Sequence, residues 1–238
     1  MSSERGAVPA ANEMHDGLDV AAVVRRGRFE LAVEVTVAAG ATLAVLGANG
    51  SGKSTLLHMI AGLVAVDDGR ISWAGTTFDD GAATFLLPER RPIGYVFQTP
   101  RLFPHLTVLD NVAFGLRGRG TAKRAARERA AAELAALELE AYGNLRPDAL
   151  SGGQAQRVAV ARTLVTEPRI ALLDEPFTAI DVTARPAVRT YAMKRLAECG
   201  ATTLLVTHDV DEAESVTDQA LELVDGRVAR VGAPRPPR

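Results

Sequence analysis

The stretch GANGSGKST, Gly47 to Thr55, sets glycines, a lysine and hydroxyls at a spacing that suits a triphosphate. Glycines let the backbone wrap the phosphates with its N–H groups turned inward, so Gly47, Ala48, Asn49, Gly50, Ser51 and Gly52 read as a cradle. Lys53 then reaches the β- and γ-phosphates, Ser54 offers its hydroxyl to Mg²⁺, and Thr55 follows in the same turn. A chance glycine turn is the bland alternative. The apolar run before it and the helical run after it argue against that alternative.

Farther along, IALLDEP ends an apolar strand with two acids. Asp174 suits the Mg²⁺ shell, and Glu175 can accept a proton from the attacking water or orient it. Taken alone, the pair is as well explained by an acidic strand end beside a turn. The phosphate loop tips the balance. Gln98, after the strand IGYVF, can touch Mg²⁺ or water on the γ-phosphate side, although a single Gln at a strand end is usually a surface residue. His208 ends LLVT, and a lone His is more often structural. His15, His58 and His105 show no metal-ligand spacing, so Mg²⁺ is the only metal expected.

A second anion seat stands in LSGGQ. Ser151, Gly152, Gly153 and Gln154 open a helix whose Val158, Ala161, Leu164 and Val165 share an apolar face. The first turn has unpaired N–H donors and the positive end of the dipole. One cradle already accounts for one nucleotide, so the second has nothing obvious to bind in its own site. Two copies arranged head to tail about a two-fold axis would let each SGGQ close over the other copy's γ-phosphate. Hydrolysis would then release the halves and convert turnover into opening and closing.

These groups need a scaffold of buried strands and helices. FELAVEVTV (Phe29 to Val37) alternates like a half-exposed strand near a sheet edge, whereas ATLAVLG (Ala41 to Gly47) reads as buried on both faces. KSTLLHMIAGL turns helical and stops at Gly62. GRISWAG, IGYVFQ, RIALLDEP and TTLLVTHD add strands, and ALELVDGRVARVG closes as a hairpin at Asp225-Gly226. Thr121 to Gly143 is an alanine-rich helix former with a solvated charged face. The stretch from Leu102 to about Leu150 is mainly helical, a lobe inserted between core strands. Strands alternating with helices imply a parallel α/β sheet.

The 238 residues, 47% hydrophobic and 24% charged, suffice for one large domain with an inserted lobe. Net charge is -2, so no basic footprint points to nucleic acid. No apolar run is long enough to cross a bilayer. The single Cys199 cannot form an internal disulfide and fits a reducing compartment. Residues 1–17 are expected to be a flexible leader, residues 18–232 the folded domain with the helical insertion at about 102–150, and residues 233–238 a proline-rich tail.

Together these motifs resemble the nucleotide-binding subunit of an ABC transporter from about Leu18 to Gly232. The order is phosphate loop, Q-loop Gln98, signature Leu150–Gln154, acidic strand Ile170–Glu175, D-loop TAID (Thr178–Asp181) and switch His208. The resemblance implies a P-loop ATPase core with a helical subdomain and an N-terminal antiparallel β region. It also implies hydrolysis of ATP with Mg²⁺ at two sites shared by a homodimer. In that arrangement Ser151, Gly153 and Asp181 act across the interface and His208 acts on the γ-phosphate.

Pro88 to Leu116 is similar, more narrowly, to importer ATPases for oxyanions, above all molybdate, in which RLFPH follows the Q-loop. That likeness implies integral membrane permease partners, an external substrate-binding protein acting indirectly, and a peripheral position on the cytoplasmic face of the membrane. Sulfate, iron and polyamine importers are the alternative cargo classes. A soluble ABC ATPase acting on nucleic acid or ribosomes fits less well, because each motif occurs once and no heptad run is present. A P-loop kinase leaves LSGGQ and His208 unexplained. The sequence departs from the family in three places. Arg25 or Arg26 stands where the family has an aromatic to stack on adenine, with Phe29 a little beyond, so no ring is expected on the base. TAID replaces the commoner SALD. Many molybdate ATPases continue into a C-terminal regulatory domain, whereas this chain stops at Arg238, so regulation through such a domain is expected to be absent.

Overall fold

The computed structural model describes residues 16–235. Most of the expected leader, residues 1–15, and the end of the tail, residues 236–238, lie outside the described residues. β1 (Leu18–Arg26) and β2 (Phe29–Val37) form an antiparallel hairpin, and β4 (Asp68–Trp73) and β5 (Thr76–Asp79) extend it. The remaining strands are β3 (Thr42–Leu46), β6 (Ile93–Val96), β7 (Ile170–Asp174), β8 (Thr202–Val206), β9 (Ala220–Val224) and β10 (Arg227–Gly232). All ten join one sheet in the order β5-β4-β1-β2-β10-β9-β3-β8-β7-β6.

The neighbours β9, β3, β8, β7 and β6 run parallel. β7 and β8 are buried at every position, as strands covered on both faces must be. β2 departs from expectation. It lies inside the sheet, between β1 and β10, although a single register pair, Arg227 with Ala32, joins it to β10. Its alternation reflects one solvated face of the antiparallel shoulder rather than an edge.

Six helices surround these strands among the described residues: α1 (Lys53–Ala61), α2 (Val108–Gly118), α3 (Lys123–Ala136), α4 (Gly152–Leu164), α5 (Arg185–Glu198) and α6 (Val210–Glu214). α3 is shorter than the alanine-rich pattern suggests. Leu137 and Leu139, two residues apart, are both buried, a spacing that one helical face cannot serve. The chain leaves the helix there, and Glu138 takes a left-handed φ of 58°. α2 and α3 follow β6 in the chain and pack on α4, and the buried side chains of all three merge with those of α5 and β7. A second core, under α1, joins the shoulder strands to β3, β7 and β8.

Parallel strands and α1 place the chemistry. The carboxyl ends of β3, β7 and β8 lead directly into Gly47, Glu175 and Thr207-His208, and Gln98 lies just beyond β6. Four parallel strands, β3, β8, β7 and β6, therefore deliver their outgoing loops to one edge, where open α/β sheets bind ligands.

Candidate active site

Gly47 leaves β3 with φ +148°, and a Cβ there would lie 2.3 Å from the Leu223 carbonyl oxygen. Only glycine lets the loop pass so close beneath the β9–β10 hairpin. Gly52, at φ +107°, opens α1 without a side-chain cap, and no acid occupies the first helical turn. The first-turn N–H groups are thus left for an anion. Lys53 is nearly buried, and its Nζ donates to the Gly47 and Ala48 carbonyls at 2.8 Å each, which holds the ammonium across the loop. Burial lowers the Lys53 pKa, opposed by the charges of Glu175 and Asp174. Ser51 Oγ is buried without a hydrogen-bond partner in the same loop.

A cleft of about 460 Å³ opens over this loop, lined by Phe29, Asn49, Gly50, Gly52, Lys53, Ser54, Thr55, Gln98, Asp174 and Glu175. The Ser54 hydroxyl lies beside the Asp174 carboxylate, whose pKa burial raises and this neighbour lowers. A hydroxyl beside a carboxylate is the hard-oxygen donor pair that suits Mg²⁺, which fills its remaining positions with water and phosphate oxygens. The donor set therefore fits the ion the motif implies.

Glu175 has a left-handed φ of 45°, and its N–H donates to the Val206 carbonyl at 3.0 Å, which turns the side chain out of the strand line. The carboxylate is 12% exposed and draws three neighbours. Gln98 Nε2 donates to Oε2 at 3.4 Å, Thr178 Oγ1 lies 3.5 Å from Oε2, and His208 Nδ1 lies 3.5 Å from Oε1. His208 is itself 59% exposed. Lys53, Ser54, Gln98, Asp174, Glu175 and His208 thus converge from separate parts of the chain.

The remaining candidates do not enter this cleft. Ser151 caps α4 by accepting from the Gln154 N–H at 3.2 Å, while Gln154 Oε1 accepts from the Ser151 N–H at 2.9 Å. This capping box leaves Ser151 and Gly152 exposed. A Cβ on Gly152 would meet nothing within 4 Å, whereas one on Gly153 would sit 3.0 Å from the Ala179 carbonyl oxygen. Asp181 is exposed and serves α5 locally, accepting from Thr183 Oγ1 at 2.6 Å and the Ala184 N–H at 2.9 Å. Both bonds hold its carboxyl below the usual range.

One expectation is corrected. Phe29, the first residue of β2, lines the cleft, and its ring reaches the space beside Gly52. A ring is present after all, displaced along the chain from the position of Arg25 and Arg26. The signal was an aromatic opening the strand that follows the Arg26–Phe29 turn. Thr178 was overlooked as a neighbour of Glu175 because only Asp181 of the TAID stretch was assigned a role.

Comparison with known proteins agrees with this geometry. The ABC transporter family profile matches residues 31–178. An Fe(3+) ions import ATP-binding protein of Mesorhizobium japonicum is 46% identical over 85% of this chain and 56% of its own length. A sulfate/thiosulfate import ATP-binding protein of Synechococcus elongatus is 43% identical over 92% and 63% respectively. A molybdenum import ATP-binding protein of Mycobacterium tuberculosis is 41% identical over 90% and 59%. The chain thus spans less than two thirds of these relatives' length. A dimeric ATP-binding cassette solved in a post-hydrolysis state with ADP and phosphate superposes with a TM-score of 0.81 at 32% identity, covering 92% of this chain and 98% of that one. On sequence, fold and the order of its motifs, the chain belongs to the ABC transporter family as one of its ATP-binding cassettes.

Proposed function

We propose that the chain is the ATP-hydrolysing subunit of an importer, working as a homodimer docked on a separate membrane permease, with an oxyanion, first of all molybdate, as cargo. The observation that carries this reading is Glu175. It meets Gln98, Thr178 and His208 at the mouth of a cleft floored by Lys53 and Ser54, while Ser151 and Gly152 stand exposed outside it. Ser54, Asp174 and Gln98 would hold Mg²⁺, which would supply charge neutralisation for the phosphates. Lys53 and the loop N–H groups from Gly47 to Thr55 bind and orient the triphosphate. Glu175 orients the water and takes its proton, and His208 contacts the γ-phosphate. Ser151 to Gln154 and Asp181 of the twin complete the site. Phe29 supports the adenine ring.

Permease docking is supported by a half-exposed aromatic cluster after Gln98. Phe103 packs 4.5 Å from Phe114 and 6.1 Å from His105, and Phe114 is 47% exposed. No helix among the described residues is long and apolar enough to cross a membrane, which fits a peripheral subunit on the cytoplasmic face. An external binding protein would act only through the permease, and nucleic acid has no role. Molybdate is favoured by the Pro88–Leu116 stretch and by one relative named for molybdenum import. Relatives named for Fe(3+) and sulfate import support those cargoes as the alternatives.

The test is Glu175→Gln. Free phosphate release should fall by at least about a hundredfold, the scale of a general base. Light scattering should then detect an ATP-dependent dimer. A fully active variant, or one that stays monomeric with ATP, overturns the assignment.

A further inference from the structure

α4 carries the exposed Gly152 and the half-buried Gly153 at its first turn, and its later turns grip the chain around Gln98. Before Gln98, Thr163 Oγ1 lies 3.2 Å from the Tyr95 carbonyl oxygen, and Gln156 Nε2 donates to the Phe97 carbonyl at 3.4 Å. After it, Arg162 Nη2 donates to the Pro100 carbonyl at 3.0 Å and Nη1 to the Arg101 carbonyl at 2.9 Å. The same guanidinium lies 5.6 Å from the centroid of the Phe103 ring. Arg101 holds a left-handed φ of 44°, unfavourable for a side chain of that size, and its own guanidinium covers the Phe97 ring at 4.6 Å. Asn111 of α2 closes the far end, accepting from the Phe103 N–H at 2.8 Å and donating to its carbonyl at 3.1 Å.

Gln98 is therefore the side chain that a clamped loop presents to the cleft. Its backbone is fixed on both sides to one helix, and a helix of 13 residues behaves as a rod about 20 Å long. A displacement at Ser151 reaches Pro100 and Arg101 through that rod, because the two hydrogen bonds of Arg162 are to backbone and allow little slip. Gln98 already contacts Glu175.

We propose that α4 is a lever whose Arg162 is a positioning residue for Gln98. When Ser151–Gly153 seats on the twin's nucleotide, Arg162 draws the Pro100–Arg101 segment along and sets Gln98 against Glu175 in the chain's own cleft. The inference rests on the shared-site reading above. It adds that the two sites of the pair communicate within each chain, from glycine pair to Gln98, through one guanidinium. Arg162 is not among the residues that line the cleft.

The experiment uses hydrogen exchange in the Glu175→Gln background together with steady-state kinetics of the otherwise unaltered chain. With ATP, exchange at 47–55 and at 98–103 should both slow in the parent. Adding Arg162→Met should abolish the slowing at 98–103 and leave that at 47–55. In kinetics, Arg162→Met should lower kcat by at least about tenfold, a misplacement effect, with KM for ATP changed less than about threefold. Arg162→Lys, which keeps the charge and one hydrogen bond, should recover part of kcat. If Arg162→Met fails to fold, Arg162→Lys carries the test with a partial loss of protection confined to 98–103. Parent-like exchange and kcat in the variant that folds overturn the lever. So does loss of protection at both segments, which marks a general structural role. Absence of protection at 47–55 in the parent counts instead against the nucleotide-site reading.

Discussion

At the scale of single residues, the cleft combines groups of opposite demands. Lys53 is held nearly buried by two carbonyls, whereas His208 stays largely in solvent beside Glu175. Phe29 is the residue whose position most changes the interpretation. Its ring shares the cleft with the phosphate loop, on the shoulder side of the sheet, at a distance from Asp174 and Glu175 along the chain. Stacking of a base on an aromatic ring contributes about 1–3 kcal/mol, so Phe29→Ala should raise KM for ATP by about tenfold. kcat should change little, and Phe29→Tyr should behave as the parent. Equal KM values for ATP in Phe29→Ala and the parent would remove the ring from the binding account. The phosphate loop and the acidic strand end were legible because their residue types have few other uses at that spacing. Phe29 was not, since its role depends on how far β2 is shifted along β1, a matter of pairing register rather than motif. Arg162 was hidden for a similar reason. An arginine in the last turn of a helix looks like a solvated charge until the Pro100–Arg101 carbonyls are brought against it.

At the scale of elements, α1 is fixed at both ends by unlike devices. Its amino end is a bare phosphate cradle. Its carboxyl end is covered by Arg91, 3% exposed, which donates to the carbonyls of Met59 at 2.9 Å, Ile60 at 2.6 Å and Leu86 at 2.8 Å. A cation at a helix carboxyl terminus is favoured by the dipole, and here it also satisfies the Ile60 and Leu86 carbonyls, while that of Met59 accepts from the Gly62 N–H as well. Gly62 leaves room for it, since a Cβ there would fall 2.7 Å from the Arg91 Cζ. Arg91→Leu strands the Ile60 and Leu86 acceptors and should cost about 3 kcal/mol, a fall in thermal midpoint of roughly 6–12 °C, measured by calorimetry. A midpoint within about 2 °C of the parent would show the carbonyls satisfied in another way. The alternation of strands and helices, the stop at Gly62 and the Asp225-Gly226 hairpin followed from sequence pattern alone. The interior place of β2 did not, because alternation reports which face is wet and says nothing about which strands flank it. The early end of α3 escaped for a related reason, since alanine propensity is overridden where two leucines must both be buried.

At the scale of the whole molecule, the cleft and the glycine pair point to different partners. Lys53 and Glu175 line the cleft, and Ser151 and Gly152 are exposed outside it. A mixture of a Ser151→Arg chain with a Lys53→Ala chain tests the two-fold arrangement directly. Each mixed pair keeps one intact site, from the sound lysine loop of one copy and the sound glycine pair of the other. Random pairing sets a ceiling of about a quarter of the parent's phosphate release, and the idle lever of the Ser151→Arg copy should lower it about tenfold further, still above either variant alone. A mixture no more active than the separate variants would contradict sharing.

The sheet itself adds a last consequence. Its antiparallel shoulder and parallel body touch through β2 and β10 at one register pair, reinforced where the Ala32 N–H donates to the Gly226 carbonyl and Arg227 pairs with Glu30. Phe29 belongs to one side of this seam and the phosphate loop to the other. A nucleotide stacked on the ring and cradled by the loop would be sewn across the seam, base in one half and phosphates in the other. Each turnover would then tighten and loosen a suture within the sheet, besides opening and closing the gap between two chains.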